Sequence, residues 1–553
     1  MSFRTAAAVH LSVGARLSIS RLLHGHLLWQ RSLTRALRRI RSPRVPVGHR
    51  VAGTPGHPLW ARVVDRFDSW AVRAETQEAV VAALVAAEIP LVIIDGGHTR
   101  ARIVVPDVEA LRLRAVLATL DGAEWCVATT PSPRSARRLA TRAGQRSIDR
   151  AVSVFRALAA SDGALLSGPA EAVDVELWSV VDNDRTPCPD GGTYEPGTLL
   201  APRYNGVAAY LTPRAWERAS RRSDRRALPS ARITEVAEPI DIVYTWVDGT
   251  DPVWRERRDR AQAELHEGAV NPNAVSSSRF LGHDELRYSL RSVEMFASWV
   301  RRIHIVTAGQ TPPWLDLSHP QIRVVDHAEI FRDRTALPVF NSHAIESQLH
   351  HIPGLADRYV YLNDDVFFGR PVAPELFFEG NGLSRFFVSR ALIDLDPASV
   401  RDMPVMSAAK RNRELVENLS GRTITSKVKH TPHPQQRRVL EEIEERYPEI
   451  FKQLAGSRFR DPEDHSVASA LHHWYAYATG RAVEGAIAYD YLDLASDEAV
   501  LTLNRISRAR DFDVFCLNDT NLSVEDREAP SRMIQGMLRA YYPLRSAYEL
   551  PGR

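Results

Sequence analysis

Cysteine is scarce in this chain. Its 553 residues include three cysteines, Cys126, Cys188 and Cys516. An odd and widely spaced set does not make a disulfide framework, and no two of them have the Cys-x-x-Cys spacing of a structural zinc site. The sequence therefore predicts a protein of a reducing compartment.

A large excess of charge of one sign is also missing. Lys and Arg total 71 and Asp and Glu total 68, which gives a net charge of +3. A balance this close to neutral argues against a dedicated nucleic-acid-binding protein. Hydrophobic residues make up 44% and charged residues 25%, as in ordinary globular proteins. This composition excludes a fully disordered or collagen-like chain.

No apolar run is long enough to cross a membrane. The longest run lies near Ala79–Ile94 and is interrupted by Glu88 and Pro90. A membrane-spanning helix needs about 20 apolar residues. No small-residue cleavage site follows a long apolar stretch near the start, so a secretory signal is not predicted. The prediction is a cytoplasmic protein.

The first segment, residues 1–56, is an Arg-rich amphipathic arm. Its first 50 residues contain ten arginines and no Asp or Glu, and leucines recur among them at helical spacing. One interpretation is peripheral contact with the inner face of the membrane, since basic amphipathic helices bind anionic surfaces. The alternative is a solvated arm or a helix packed on its own protein.

The second region, residues 57–230, is predicted to be a smaller N-terminal α/β domain. Helical and strand-like segments alternate in it, and no catalytic motif is present. The predicted helices are Glu75–Ala87 and Val108–Leu120, and the predicted strands are Leu91–Ile94, Ala101–Val105, Val173–Val181 and Gly206–Leu211. The sequence does not indicate the role of this domain.

The third region, residues 236–553, predicts a mostly parallel α/β sheet followed by a helical C-terminal part. Strands and helices alternate here, as in βαβ units. The predicted strands are Ile240–Val247, Ile303–Thr307, Ile322–Asp326 and Tyr359–Leu362. The predicted helices are Asp284–Val300 with Asp284 as N-cap, Asn341–His351, Gln435–Leu454 and His465–Thr479, which Gly480 closes.

Acidic residues follow three of the apolar strand-like segments. Asp248 precedes Gly249, Asp364 precedes Asp365, and Asp519 follows Cys516 and Leu517. In parallel sheets ligands bind beyond the carboxyl ends of the strands, and carboxylates there suit a hard divalent cation. Each pattern alone is also typical of a turn. The three together predict a metal or phosphate site.

Two stretches supply positive or protic groups that act on protons and phosphates. Residues 427–434 contain His430 and His433, and residues 458–465 contain Arg460. A histidine transfers protons near neutral pH, and an arginine binds phosphate through two N–H groups. The alternatives are an ordinary loop histidine and a charged start of a helix.

The order of these motifs resembles that of the Stealth family. Asp241–Trp254 reads DIVYTWVDGTDPVW and resembles the family's first conserved region. Arg279–Arg370, Thr431–Gly480 and Phe515–Asp519 resemble the second, third and fourth regions. The family includes bacterial capsule and exopolysaccharide phosphotransferases and the catalytic subunit of animal N-acetylglucosamine-1-phosphotransferase.

The resemblance implies transfer of a sugar-1-phosphate from a nucleotide sugar, typically UDP-linked, to a glycan hydroxyl, with release of UMP. It also implies a Rossmann-like core and a need for Mg²⁺ or Mn²⁺. By motif, the catalytic residues would be Asp248, Asp365, His433 and Arg460. The donor would lie against Trp246, Gly249, Arg279, Asn341, Ser342 and Arg460, and the metal against Asp364, Asp365 and Asp519. The motif does not separate His430 from His433, or the base from the metal ligands.

The sequence is also compatible with two other functions. A metal-dependent glycosyltransferase would use the same donor, attack the anomeric carbon and release UDP. A carbohydrate-binding protein without activity would keep the fold and lose the chemistry. The placement of acids, His and Arg does not distinguish attack at phosphorus from attack at carbon.

Overall fold

The computed structural model describes residues 15, 45–54, 57–94, 98, 100–130, 135–183, 185–189, 191–264, 282, 284–494, 496, 499–518 and 528–552. They form two compact units, divided between Glu235 and Val236. Most of the predicted Arg-rich arm lies outside the described residues. Among the described helices, none combines the length and the apolar character that crossing a membrane requires.

The N-terminal unit is an α/β domain with two sheets. Its strands are β1 His49–Thr54, β2 His57–Val63, β3 Val92–Ile94, β4 Arg102–Pro106, β5 Trp125–Ala128, β6 Arg137–Arg138, β7 Ala151–Arg156, β8 Leu158–Ala159, β9 Val173–Val180, β10 Leu199–Leu200 and β11 Tyr210–Leu211. Its helices are α1 Ser69–Ala86, α2 Ala110–Ala118, α3 Arg142–Arg146 and α4 Pro213–Ser220.

Strand β9 organises the larger sheet of this unit. It pairs in parallel with β4 and antiparallel with β7 and β10. Helix α1 begins after Asp68, whose carboxylate accepts hydrogen bonds from the amides of Trp70 and Ala71. Helices α1 and α2 bury Leu84 and Leu117 in the same apolar core as Ile103.

The second unit carries the longer series of elements. Its strands are β12 Ile240–Thr245, β13 Ile303–Thr307, β14 Ile322–Asp326, β15 Arg358–Asn363, β16 Val366–Phe368, β17 Ser384–Phe386, β18 Val388–Leu392, β19 Ser426–Val428, β20 His433–Gln436, β21 Ala482–Glu484, β22 Tyr489–Asp493 and β23 Val514–Asn518. Its helices are α5 Pro252–Ala263, α6 Glu285–Phe296, α7 His327–Ile330, α8 Ser342–Glu346, α9 Pro404–Ser420, α10 Arg437–Arg446, α11 Pro448–Gly456, α12 His472–Ala478, α13 Ala499–Ala509 and α14 Glu528–Tyr541.

A five-stranded sheet forms the centre of this unit, in the order β14-β13-β12-β15-β20. Strands β12 to β15 are parallel to one another, and β20 is antiparallel to β15. Apolar side chains from these strands and from the C-terminal helices share one core, which includes Val306, Tyr359, Leu440 and Leu471. The predicted class, α/β with a mostly parallel catalytic sheet and a helical C-terminal part, is confirmed.

A second, three-stranded sheet adjoins the turn that follows β15. Strand β23 lies in its middle, antiparallel to β16 and parallel to β22. Residues near the end of the chain thereby reach the Asp364-Asp365 turn. The sequence pattern contained no signal for this pairing.

The predicted helix over Gln435–Leu454 is confirmed for most of its length, but it begins later than predicted and is divided into two helices. His433–Gln436 instead forms the edge strand β20, because its backbone pairs with Tyr361 to Arg358 of β15. The helix then breaks between α10 and α11, where Pro448 has no N–H for the ladder.

Three smaller element predictions also need correction. Asn341–His351 contains only the short α8 and a 3₁₀ turn at Leu349–His351. In the predicted strand Gly206–Leu211, only Tyr210–Leu211 is a strand. Asp284 does precede α6, but its φ is 66° and its side chain makes no capping hydrogen bond.

Candidate active site

The candidate site lies at the carboxyl edge of β12 and β15. These neighbouring parallel strands align Thr245 with Asn363. The segment that contains Trp246, Asp248 and Gly249 therefore leaves the sheet at the same edge as the segment that contains Asp364 and Asp365. A contact between Thr245 Oγ1 and the Tyr361 hydroxyl, 3.1 Å, joins the two strands at this edge.

Asp365 is the centre of a cluster from three distant parts of the sequence. Its Oδ1 lies 3.4 Å from Nε2 of His430, and its Oδ2 accepts a hydrogen bond from the Cys516 thiol at 3.2 Å. The amide of Leu517 donates to its backbone carbonyl at 3.1 Å. Strand β23 therefore fixes Asp365 through both the backbone and the side chain.

The two candidate histidines lie in different surroundings. Burial by itself lowers the pKa of His430, but the neighbouring Asp365 carboxylate outweighs it and raises the pKa above the ordinary value. His430 Nε2 also lies 3.4 Å from Nδ2 of Asn363. His430, rather than His433, is the histidine beside the acidic turn.

His433 is buried on β20, next to the ring of His430. Its Nδ1 lies 3.1 Å from Nε2 of His473, whereas its Nε2 has no hydrogen-bond partner within the described residues. Burial, together with the nearby His473 and His430, lowers the pKa of His433 well below its ordinary value. His433 is therefore a neutral imidazole with one unused ring nitrogen.

Arg460 and Ser342 are in direct contact. Arg460 Nη2 donates to Ser342 Oγ at 2.9 Å, and its Nε is buried with no partner in the part of the chain that is described. Burial lowers the pKa of Arg460, and the charges of Glu346 and Asp464 oppose this shift. A desolvated guanidinium with an unused N–H group suits an anionic ligand.

Asn341 fixes the backbone next to Ser342 through hydrogen bonds. Asn341 is fully buried, and its Oδ1 accepts a hydrogen bond from the amide of His343 at the start of α8. Its Nδ2 donates to Asp464 Oδ2 at 2.8 Å and to the carbonyl of Phe459 at 3.2 Å. These bonds hold the start of α8 against the segment that contains Arg460.

Glu346 is a site residue that the sequence reasoning missed. Its side chain is 5% exposed, accepts a hydrogen bond from Ser469 at 2.7 Å, and lies 3.4 Å from the Tyr361 hydroxyl, which donates to it. Its charge acts on both His430 and Arg460. The available signal was its position on α8, one helical turn after Ser342.

Gln310 is a second missed residue. Its Oε1 accepts a hydrogen bond from the amide of Asp248 at 3.0 Å, and its Nε2 donates to the Asp248 carbonyl at 3.0 Å and to Asp251 at 2.9 Å. The carboxylate of Asp248 itself accepts bonds from Thr250. Gln310 thus fixes the backbone of the turn that follows β12.

The other predicted positions divide into two groups. Trp246 and Gly249 lie in the turn after β12, where the amide of Trp246 donates to the carbonyl of Val306. Arg279 and Asp519 lie outside the described residues. The structure therefore brings Asp365, His430 and Cys516 together, and separately Ser342 and Arg460.

The acidic turn has the oxygen ligands that a divalent cation needs. Asp364 and Asp365 supply carboxylate oxygens at the strand end, as Mg²⁺ and Mn²⁺ prefer. Ligand atoms of Asp365, His430 and Cys516 all lie within 4.8 Å of one another. Burial and the neighbouring Asp365 raise the pKa of Cys516, so the thiol acts as a hydrogen-bond donor rather than a thiolate ligand. The two carboxylates are therefore the residues that fit a hard ion.

Four family models match the second unit. Conserved regions 1, 2, 3 and 4 of the Stealth proteins match residues 238–265, 279–386, 429–477 and 504–553. Exopolysaccharide phosphotransferase SCO6023 of Streptomyces coelicolor is 41% identical over 451 residues, which are 77% of this chain and 72% of that protein. The chain belongs to the Stealth family.

Other Stealth relatives carry the same description. Exopolysaccharide phosphotransferase CpsY of Mycobacterium tuberculosis is 36% identical, over 72% of this chain and 73% of that protein. SCO2592 of Streptomyces coelicolor, with the same name, is 40% identical over 85% of this chain but only 50% of its own length. The prediction of a phosphotransferase enzyme is confirmed at the level of enzyme class.

The structural comparison is much weaker than the sequence comparison. A crystal structure of the galactosyltransferase LgtC with donor and acceptor sugar analogues aligns with 57% of this chain and 98% of that chain. The identity is 12% and the TM-score is 0.30. Similarity at this level does not establish a shared fold.

Proposed function

We propose that this chain transfers a sugar-1-phosphate from a nucleotide sugar, with UDP as the carrier, to a hydroxyl group of a glycan acceptor in exopolysaccharide synthesis. The named relatives support the reaction class. The observation that carries the proposal is Arg460, a partly buried arginine whose buried Nε has no partner in the described part of the chain and whose charge acts on His430. The reaction would take place in the cytoplasm, where nucleotide sugars are made.

The reaction is a displacement at phosphorus. The acceptor oxygen attacks the phosphorus that carries the sugar, and the bond from that phosphorus to the bridging oxygen breaks. UMP leaves, and a phosphodiester joins the sugar to the acceptor. Charge spreads over the phosphoryl oxygens during this step, so catalysis depends on positioning and on cationic groups.

Arg460 is the protein group that best meets this requirement. Its position is fixed by the hydrogen bond to Ser342, and Asn341 fixes Ser342 through α8. A guanidinium that is already desolvated and oriented loses little entropy when the diphosphate binds. Arg460 and Ser342 are therefore assigned to the donor phosphates, and Asn341 to their positioning.

His433 is the group proposed to take the acceptor's proton. Burial lowers its pKa and keeps the ring neutral. When the ring hydrogen is on Nδ1 and is donated to His473, Nε2 has a lone pair that can accept a proton. The contact between its Nδ1 and His473 orients the ring. His430, with its raised pKa and its contact with Asp365, would instead place positive charge beside the acidic turn.

The carboxylates of Asp364 and Asp365 would hold the divalent cation, with Mg²⁺ or Mn²⁺ as the ions that suit their oxygens. When bound, the cation would neutralise charge on the donor's diphosphate. Trp246, Asp248 and Gly249 would lie against the donor, in the turn that Gln310 holds.

The test is to identify the nucleotide that is released. The purified full-length protein is incubated with Mg²⁺, a panel of UDP-sugars and glycan acceptors, and nucleotides are separated by chromatography. UMP that requires both an acceptor and Asp365 is expected. UDP would instead indicate a glycosyltransferase and overturn the proposal.

The variant Asp365→Asn should abolish release, and Asp357→Asn serves as its control. Asp357 is exposed just before β15, where it pairs with Arg438 at 3.5 Å. Each substitution removes one carboxylate next to β15. Asp365 follows the C-terminal end of this strand, whereas Asp357 precedes its N-terminal end.

A further inference from the structure

A cavity of about 160 Å³ opens beside the two histidines. His430 and His433 line it, together with side chains from the segments around β18, β19 and α12. The ring of His433, with its unused and buried Nε2, is therefore part of the wall of this cavity.

Two of the chain's four lysines, Lys427 and Lys429, line this cavity. Both are partly buried, and no carboxylate of the described residues lies within 4.0 Å of either ammonium group. Burial lowers the pKa of Lys427. Two ammonium groups that are partly removed from water and lack a counter-charge create a local site for an anion.

Lys410 shows the contrasting arrangement nearby. Its ammonium lies 2.7 Å from Asp394 and 3.0 Å from Asp402, so its charge is compensated within the protein. Asp394 is also the carboxylate whose charge reaches Lys427. Since Asp394 is already paired with Lys410, it leaves most of the positive charge of Lys427 and Lys429 uncompensated.

The remaining walls of the cavity are largely apolar. Ile393, Val405, Ile424, Val428 and Trp474 line it. The Trp474 ring is held edge-on against Phe386, with 5.0 Å between ring centroids. Binding sites for small molecules combine such apolar walls with a few charged groups. The C–H faces of sugar rings pack on apolar and aromatic surfaces, while charged substituents reach the lysines.

We infer that this cavity binds the acceptor and that the acceptor is an acidic glycan. The inference rests on the proposed function, because it needs an acceptor hydroxyl beside His433. Lys427 and Lys429 bind the anionic substituent, which is a carboxylate or a phosphodiester. The apolar wall with Trp474 binds the adjoining sugar ring.

Direct binding tests this inference independently of turnover. The full-length Asp365→Asn protein is titrated calorimetrically with three oligosaccharides of equal length. One carries uronic acid carboxylates, one carries phosphodiesters, and one is neutral. At least one acidic oligosaccharide should bind about 10-fold more tightly than the neutral one. The acidic probe that binds more tightly identifies the anion.

The lysines are tested in the same assay. Lys427→Gln combined with Lys429→Gln should remove the preference for the acidic probe. In protein that keeps Asp365, the same double substitution should leave the affinity for the nucleotide sugar unchanged. Lys452→Gln is the matched control, because Lys452 is exposed on α11 and does not line the cavity. Unchanged donor affinity and unchanged melting temperature show that the double variant is folded.

Several outcomes would overturn the inference. The inference is wrong if the protein with both lysines intact binds the acidic and neutral probes with equal affinity. It is also wrong if the double variant still binds the acidic probe more tightly than the neutral one. A further probe is the neutral oligosaccharide with an alkyl chain attached. If only this probe binds more tightly than the plain neutral oligosaccharide, the cavity is a lipid-binding groove and the inference is wrong. A protein that releases no UMP but still prefers the acidic probe would refute the proposed function and retain the acidic-glycan site.

Discussion

Arg460 Nη2 donates a hydrogen bond to Ser342 Oγ at 2.9 Å, although 118 residues separate them in the sequence. This contact joins α8 to the segment before α12. The Asn341–Asp464 hydrogen bond, 2.8 Å long, makes a second connection at the N-cap residue of α8. The two contacts together hold the segment that contains Arg460 against the start of α8.

Arg460→Ala should lower kcat by about 100-fold or more, because charge on the transferring phosphoryl group loses a pre-positioned cation. The measurement is steady-state release of UMP at saturating donor. The matched control is Arg458→Ala, two residues earlier, where Arg458 pairs with Glu264 at the surface. Turnover in Arg460→Ala equal to that of Arg458→Ala would remove Arg460 from the mechanism.

Cys516→Ala should lower kcat by about 10-fold, since Asp365 Oδ2 loses the hydrogen bond from the buried thiol. Cys516→Ser keeps a donor at this position and should recover most of the activity. Cys188→Ala, in the N-terminal unit, should leave kcat unchanged. If Ser is no better than Ala, the hydrogen bond has no part in positioning Asp365.

Glu549→Gln should lower the free energy of unfolding by about 3–5 kcal/mol, because the buried guanidinium of Arg291 loses the counter-charge of this carboxylate. Glu549 is fully buried, and its carboxylate lies 2.6 Å from Arg287 and 2.7 Å from Arg291. These arginines hold the pKa of Glu549 at about 2 against the effect of burial. Denaturant unfolding measures the change.

The control for this prediction is Glu441→Gln. Glu441 pairs with Arg437 at 2.8 Å on α10, but both side chains are more than one-third exposed. A surface pair of this kind contributes about 0.5 kcal/mol or less. Equal effects of the two substitutions would show that the Glu549 cluster does not stabilise the fold.

Acidification should destabilise the second unit below about pH 6.5. Burial lowers the pKa of His327 and His465 to about 4 and that of His472 to about 3. The unfolded chain binds protons at its ordinary histidine pKa of about 6.5, whereas the folded chain does not. Each of these histidines therefore lowers the free energy of unfolding by about 1.4 kcal/mol for each pH unit between its pKa in the unfolded chain and its pKa in the folded chain.

The check is the free energy of unfolding measured between pH 7.5 and pH 5. Stability should be fully present above about pH 6.5 and fall as the pH decreases. His327→Leu should reduce the slope by the contribution of one histidine. A pH-independent free energy over this range would contradict the burial of neutral histidines.

Much of the fold follows from local sequence. Ile303–Thr307 and Ile322–Asp326 are strands at the predicted bounds, because apolar runs of this length are flanked by polar turns. The edge strand His433–Gln436 could not be predicted in this way. Its residues are polar, and only pairing with β15, more than 70 residues earlier in the chain, makes it a strand.

The residues of the candidate site likewise divide into those that local sequence predicts and those that depend on distant contacts. Asp365 and Arg460 stand in recognisable motifs, from which the sequence predicts them as site residues. Glu346 and Gln310 were missed because their partners are distant: Ser469 is 123 residues from Glu346, and Asp248 is 62 residues from Gln310. Long-range hydrogen bonds of this kind have no signature in a local pattern.

The central place of β23 in its three-stranded sheet has a consequence for synthesis of the protein on the ribosome. The N-terminal unit can fold as soon as it has emerged, because all of its strands precede residue 236. The Asp365 turn cannot acquire its Cys516 and Leu517 contacts until Val514–Asn518 has been translated. Chains that are released early would therefore contain a finished first unit and an incomplete active site.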